Sequence, residues 1–445
     1  MAIAKNNYGI RIDGSALNER LADLAAIGAI GDTDGACRLA LTDEDKAGRD
    51  LVVTWMRDLG MDVRIDGIGN VVATTVGVGK HGAGLGDVDP VAPVMCGSHI
   101  DTVRTGGRYD GNLGVLAGLS VVEAVQRTGL VTQRPLAVGF FTDEEGARFP
   151  PDMLGSLVYT GEMALEEALD VVGADGAVLG QELDRIGYRG TAPCPAPPPH
   201  AFVELHIEQG PVLDTEDVII GAVTGVQGIS WTEIKVAGQS NHAGTTPMHM
   251  RHDAGWVATR IAVFVHELAE TFGPPQVATV GRMELHPNLV NVVAADAVMT
   301  VDMRNTDDSL LHEAENRLEL FLEQLADESG TTITSRRLAR FAPVEFNADM
   351  VCLVENVASD LGYSHRRLCS GAGHDAQMFA PICPTSMIFV PSWEGISHNP
   401  FEHTEPEHLE AGANVLLQVM LELAEVAEAS EQTTAELTHS KGVNR

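Results

Sequence analysis

The sequence predicts an α/β protein with a mixed sheet covered by helices and an α+β domain inserted into it. Three observations carry that expectation. The chain has 445 residues, more than a single hydrophobic core accommodates, so two domains are expected. Compact apolar runs that read as strands alternate with apolar residues at helical spacing, the pattern of a sheet with parallel members. Between residues 216 and 336 a different order of elements interrupts that alternation, which then resumes.

Taken in order, residues 15–30 place Leu17, Leu21 and Leu24 at helical spacing behind Ser15, a capping type. Residues 43–59 repeat the pattern with Leu51, Val52, Trp55, Met56 and Leu59. Strands are expected at 70–73, 93–96 and 136–141, with a buried helix at 114–125 between the last two. The Gly-rich stretch 74–92, containing Lys80-His81-Gly82, reads as a surface loop. The proline run 193–199 is a stiff connector leading into a strand at 202–206. In that strand Val203, Leu205 and Ile207 point one way while Glu204, His206 and Glu208 point the other, which ordinarily means a core face and a solvent face.

Residues 216–336 then give a strand at 229–236, a helix at 253–270 through Trp256, Val257, Ile261, Phe264, Val265 and Leu268, and strands at 276–285 and 291–304. A helix through Leu310, Leu311, Leu318, Phe321, Leu322 and Leu325 and a strand at 331–335 complete the order β-α-β-β-α-β, the split ferredoxin-like arrangement. The expected domains are therefore 1–215 with 337–445, and an inserted 216–336. A helix at 349–361, a strand at 385–390 and a helix at 406–427 finish the first domain; the polar residues beyond are expected to fray.

Composition narrows the function classes. Acidic side chains number 63 against 29 basic ones, a formal charge of −34, which repels nucleic acid and anionic membranes. No apolar run approaches the roughly 20 residues needed to cross a bilayer, and no charged stretch with an apolar core opens the chain, so a cytoplasmic location is expected. The six cysteines show no CxxC and no compact framework, which reads as reduced thiols without catalytic duty.

The remaining signal lies at strand ends. His99 and Asp101 follow the strand at 93–96; Asp110 stands in a glycine-rich turn at a helix entrance, where a helix N-cap is the ordinary reading. Glu144 and Glu145 follow the strand at 136–141, His206 ends the strand at 202–206, and His398 follows the strand at 385–390. In open α/β sheets, ligands collect beyond the carboxyl ends of strands. Imidazoles and carboxylates together suit first-row divalent cations, Zn²⁺, Mn²⁺, Co²⁺ or Ni²⁺, and a spare carboxylate beside such a cation can take a proton from water acidified by it.

These residues sit in segments that resemble a known family. Gly97-Ser-His-Ile-Asp-Thr-Val, Asp110-Gly-Asn-Leu-Gly-Val, Thr142-Asp-Glu-Glu-Gly-Ala-Arg-Phe, Glu204-Leu-His-Ile-Glu-Gln-Gly-Pro-Val-Leu, Asn241-His-Ala-Gly-Thr-Thr-Pro-Met, Ser370-Gly-Ala-Gly-His-Asp-Ala and Gly395-Ile-Ser-His-Asn-Pro are together similar to the amidase, hydantoinase/carbamoylase branch of the aminoacylase and carboxypeptidase-like metallohydrolases. That branch includes N-carbamoyl-L-amino-acid hydrolases, allantoate amidohydrolases and bacterial-type β-ureidopropionases. The resemblance spans about residues 15–425 and implies a metallopeptidase-like catalytic domain with two divalent metal ions per subunit, and an inserted ferredoxin-like domain that dimerises. It implies Asp110 as bridging ligand, His99 and His206 on one metal, Glu145 and His398 on the other, Glu144 as general base and Asp101 as the partner of His99. It further implies substrate contacts from Gln209, His242, Asn291, Arg304 and the backbone of Gly371, Ala372 and Gly373, with His242 acting in catalysis and reaching the partner subunit's site. One departure is visible: Ala294 stands where relatives often carry proline.

The implied chemistry is coherent on physical grounds. A ureido carbonyl receives electron density from two nitrogens and is a poor electrophile, so its hydrolysis needs activated water and stabilisation of the developing oxyanion. Arg304 shares a strand face with Asp302, so an ion pair competes with its reading as a clamp for a substrate carboxylate. His374 lies in a glycine-rich turn and is expected to line the site; His249, His252, His81, His200, His286, His312 and His439 read as surface residues. The expected reaction is release of ammonia and carbon dioxide from an N-carbamoyl amino acid. Allantoate, ureidopropionate and N-acyl or peptide substrates remain alternatives, as does a metal-dependent binding protein without activity.

Overall fold

In the computed structural model the described residues are 9–75 and 91–426. Most of the Gly-rich loop with His81, and the polar tail with His439, lie outside them. The strands, in chain order, are β1 (Asp62–Ile65), β2 (Val71–Thr74), β3 (Val94–His99), β4 (Leu136–Phe141), β5 (Ala201–Ile207), β6 (Ile220–Val226), β7 (Gly228–Ala237), β8 (Val277–His286), β9 (Asp296–Asn305), β10 (Thr332–Phe341), β11 (Val344–Glu345), β12 (His365–Ser370) and β13 (Thr385–Val390).

Two compact units form. The first holds residues up to Thr224, Phe346–Leu368 and the chain from His374; the second holds Gly225–Glu345 with Cys369–Gly373. The inserted unit thus begins and ends about nine residues later than expected, because β6 still pairs with β13 through Gly221, Ala222 and Val223 before the chain leaves.

The first unit is built on a mixed sheet in the order β1-β2-β4-β3-β5-β13-β6, with β12 beside β6. Its middle strands β4, β3, β5 and β13 are parallel, and β2 and β6 flank them antiparallel. Helices Asn112–Thr128 and Pro406–Ala424 pack on each other and on the sheet. The parallel strands are buried along their whole length, as strands covered on both faces must be. That overturns the solvent-face reading of β5. Phe202 stacks on Phe379 at 4.0 Å, and Glu204 accepts the Ala376 amide at 2.8 Å, so this row lies under the short helix Asp375–Phe379. Leu205 on the other side meets Gly412, where a Cβ would lie 2.8 Å from it.

The sequence pattern missed β1, β6, β11 and β12: β1 and β11 are short, β12 is half-exposed, and β6, though buried, is broken by Gly221 and Gly225. The first helix, Gly14–Ala25, is capped by Asp13, not by Ser15.

The second unit has a four-stranded antiparallel sheet, β10-β7-β9-β8, the order of a split β-α-β-β-α-β unit. Ala297, Met299, Val301 and Met303 alternate inward on β9 and pack with Val257, Ile261 and Val265 of helix Ala254–Phe272 and Leu311, Leu318 and Leu322 of helix Asp308–Ser329. β9 starts five residues later than expected: 291–295 form a loop that pairs with the His242 segment. No helix among the described residues is long and apolar enough to cross a membrane, and all six cysteines are free thiols.

Candidate metal centre

The carboxyl ends of the parallel strands deliver the donors. His99 is the last residue of β3, and His206 precedes the last residue of β5. Glu144 and Glu145 follow β4, and His398 stands in the loop after β13. Asp110 does not cap the next helix; Gly111 is its N-cap and makes no side-chain cap bond. Its carboxylate lies among the imidazoles instead. Oδ1 is 3.2 Å from His206 Nε2 and 3.6 Å from His99 Nε2, while Oδ2 is 3.4 Å from His398 Nε2. Glu145 approaches His398 at 3.3 Å, and Glu144 approaches His99 at 3.4 Å. One carboxylate therefore faces two donor sets, His99 with His206 and Glu145 with His398, through different oxygens.

The rings are oriented for ligation. Nδ1 of His99 and of His206 each bonds a main-chain carbonyl at 2.9 Å, of Asp101 and Ile207, which leaves both Nε2 atoms directed at Asp110. The partner of His99 is thus the Asp101 carbonyl, not the carboxylate expected from the sequence. That carboxylate accepts the Glu144 and Glu145 amides, each at 3.4 Å, and so holds the turn that carries both acids. Glu145 Oε1 is buried without a hydrogen-bond partner, an orphan that a cation would satisfy.

Burial and crowding move the proton affinities. Burial, then its neighbours' negative charges, lift Glu144 well above the usual carboxylate range, and burial with the Asp110 charge lifts Glu145 to about 8. Burial opposes charge on His99, yet the Glu144 and Asp110 carboxylates raise it well above an ordinary imidazole; Asp110 raises His398 to about 9. Asp110 itself, though buried, is held far below its usual value by His206, His398 and His99. Acids outnumber bases in a dry site, the electrostatics of a cluster that favours positive charge.

Two expected site residues surround this cluster in the first unit. Gln209 donates from Nε2 to Asp110 Oδ2 at 2.9 Å, and its Oε1 is buried without a partner. His374 is buried edge-on to His206 at 4.6 Å between ring centres; burial, then His206, depress its pKa well below normal, which keeps it neutral.

The others lie in the second unit. His242 is exposed, and its Nδ1 accepts the Gly244 and Thr245 amides at 3.0 and 3.2 Å, which places the proton of the neutral ring on Nε2 as an outward donor. Ala243 donates to the Asn291 carbonyl, so the loops of His242 and Asn291 are held side by side. Arg304 makes the ion pair its strand face allowed, donating from Nε and Nη2 to Asp302, while Nη1 bonds the Gly371 carbonyl. The turn through Ala372 and Gly373 closes on Ser370, whose hydroxyl accepts the Ala372 amide.

Sequence reasoning missed Glu402 and Ser98. Glu402 is buried and accepts the amides of Tyr109 and Asp110; Ser98 donates to Glu204 at 2.6 Å. The available signal for Glu402 was an acid one helical turn past His398, a spacing common by chance.

With this geometry in view, comparison with known proteins is decisive. Residues 95–422 match the model of peptidase family M20/M25/M40. The chain belongs to that family. It is 40% identical over 419 residues to the N-carbamoyl-L-amino-acid amidohydrolase of Rhizobium meliloti, covering 94% of this chain and 98% of that one. It is 34% identical over 411 residues to the allantoate amidohydrolase of Escherichia coli, covering 92% and 98%. Among solved structures, an amidase of the hydantoinase/carbamoylase family from Burkholderia multivorans superposes with a TM-score of 0.88 at 44% identity, covering 94% of this chain and 99% of that one. Within the M20 family the chain therefore falls among the hydrolases of the hydantoinase/carbamoylase group, with donor groups suited to divalent metals.

Proposed function

We propose that this protein is a binuclear metal-dependent amidohydrolase that cleaves the carbamoyl C–N bond of an N-carbamoyl-L-amino acid, working in the cytoplasm as a homodimer. The observation that carries the reading is the two-sided placement of Asp110, one oxygen toward His99 and His206 and the other toward His398 with Glu145 at hand. The donor set fits the metals: neutral-capable imidazole nitrogens converge, a carboxylate oxygen of Glu145 is buried without a partner, and Asp110 faces both donor groups and would be shared between them. Two divalent cations, Zn²⁺, Mn²⁺, Co²⁺ or Ni²⁺, would supply Lewis acidity to polarise the ureido carbonyl and to acidify water.

The chain's own groups do the rest. Glu144, whose proton affinity burial raises well above that of an ordinary carboxylate, takes the proton of the attacking water and returns it to the leaving nitrogen. His242, donating from Nε2 and supplied by the partner copy, stabilises charge growing on the carbonyl oxygen. Gln209 Oε1 accepts a substrate N–H, Arg304 takes the substrate carboxylate with the N–H groups that Asp302 and Gly371 leave over, and Asn291, His374 and the 371–373 backbone complete the contacts. Carbamate is lost as carbon dioxide and ammonia, leaving the amino acid.

The test is metal analysis and ammonia release on one purified sample, across α-ureido acids, β-ureidopropionate, allantoate and N-acyl amino acids. Preferred release from N-carbamoyl-L-amino acids is expected. Preference for allantoate or the β-ureido acid would move the assignment within the group, and failure with every substrate and cation would leave only a binding role.

A further inference from the structure

The donors divide into two kinds of support. His99 and His206 end strands, and their rings are pinned by main-chain carbonyls. His398 stands in a loop, is half exposed, and has φ +52°, in the left-handed region that non-glycine residues avoid. Something outside the residue must hold it there. Glu402 is placed to do so. It is 3% exposed; its Oε1 accepts the Tyr109 amide at 3.0 Å and the Asp110 amide at 3.2 Å, and its Oε2 accepts the Ser397 hydroxyl at 3.1 Å. The same hydroxyl lies 3.3 Å from Asp110 Oδ2. One buried side chain thus fastens the turn that bears the bridging acid to the residue preceding His398. The turn wraps it closely: a Cβ on Gly107 would fall 2.1 Å from Oε1. The Glu402 amide in turn bonds the Asn399 carbonyl, so the turn that follows His398 closes on itself.

We propose that Glu402 is a positioning residue that secures one cation place selectively, the one formed by Asp110 Oδ2, Glu145 and His398. The inference rests on the binuclear reading above. Glu402 touches neither substrate nor reacting atoms; it acts through Asp110 and Ser397.

The test is Zn²⁺ titration by calorimetry of the full-length, chelator-stripped protein, with thermal unfolding of the same metal-free samples. Wild type takes up two ions. In Glu402→Ala one of the two ions binds about 10- to 100-fold less tightly, the usual effect of losing an outer support, while the other changes little. Glu402→Gln keeps a carbonyl oxygen for the two amides and recovers most of the loss, a rescue that general loosening does not produce. Ser397→Ala, a milder change should Glu402→Ala not fold, weakens the same ion alone. Two ions of unchanged affinity, or equal weakening of both, overturns the proposal. Wild type binding one ion removes the binuclear reading itself, and this inference with it.

Discussion

Gly111 offers a quantitative test of how tightly the cluster is built. It has φ +67°, and a Cβ there would lie 2.4 Å from Cε1 and Nε2 of His99. Ordinary contact starts at 3.4 Å, so Gly111→Ala obliges the ring or the turn to retreat by about 1.0 Å, the difference of those two distances. Two costs follow. The Gly111 backbone, φ +67° with ψ −48°, lies outside the left-handed well in a sparsely populated region and costs a residue with Cβ about 1–3 kcal/mol, and forcing atoms into a filled site costs about 1–3 kcal/mol, together about 2–6 kcal/mol. Gly129 is a comparison without a collision: it has the same φ of +67°, with ψ +18° in the left-handed well, and nothing within 4 Å of its Cβ position. Gly129→Ala therefore reports the cost of the left-handed well alone, about 1–2 kcal/mol, and the excess in Gly111→Ala reports its more strained backbone together with the collision with His99. Denaturant unfolding of both metal-free variants measures the difference. Ligation tolerates displacements of only about 0.2 Å, so Gly111→Ala also weakens Zn²⁺ uptake while Gly129→Ala does not. Equal stability of the two variants, with unaltered Zn²⁺ affinity, refutes the reasoning.

Four further outcomes are expected. Glu144→Gln lowers kcat by about 10²- to 10⁴-fold with metal content intact, read by ammonia release and metal analysis on the same protein; near-normal turnover removes Glu144 as the base. His242→Ala lowers kcat by about 10²- to 10³-fold, and mixing it with Glu144→Gln restores part of the activity if sites are shared between copies; no recovery from a verified mixed dimer argues for self-contained sites. Asp45→Ala leaves the Arg49 guanidinium buried beside Gly69 and Thr142 without its ion partner, and costs about 3–5 kcal/mol in denaturant unfolding. Phe379→Ala empties the cluster of Phe141, Tyr159 and Phe202 beneath the site and costs about 3–5 kcal/mol; a loss under 1 kcal/mol contradicts the packing described.

Much of this protein is written locally. The strongly periodic helices, the apolar strand β4, the largely apolar β13, and the β-α-β-β-α-β order of the inserted unit follow from spacing, because each element's burial is encoded in its own residues. The donor types and their attachment to strand ends were equally legible, since a parallel sheet brings its carboxyl ends to one edge whatever the intervening sequence. Other features depend on neighbours distant in the chain. Glu204 and His206 read as a solvent row and are buried because the helix Asp375–Phe379 covers them, a fact no window around β5 contains. The choice of the Asp101 carbonyl over its carboxylate for His99, and of Asp110 as a shared acid rather than a helix cap, is made by how turns from separate strands meet. Glu402 is the clearest case: chemically ordinary in the sequence, it acquires its place only when two loops nearly three hundred residues apart, as in its 293-residue separation from Tyr109, close around it. Periodicity reports which side of an element is dry; only tertiary packing decides which buried polar groups meet.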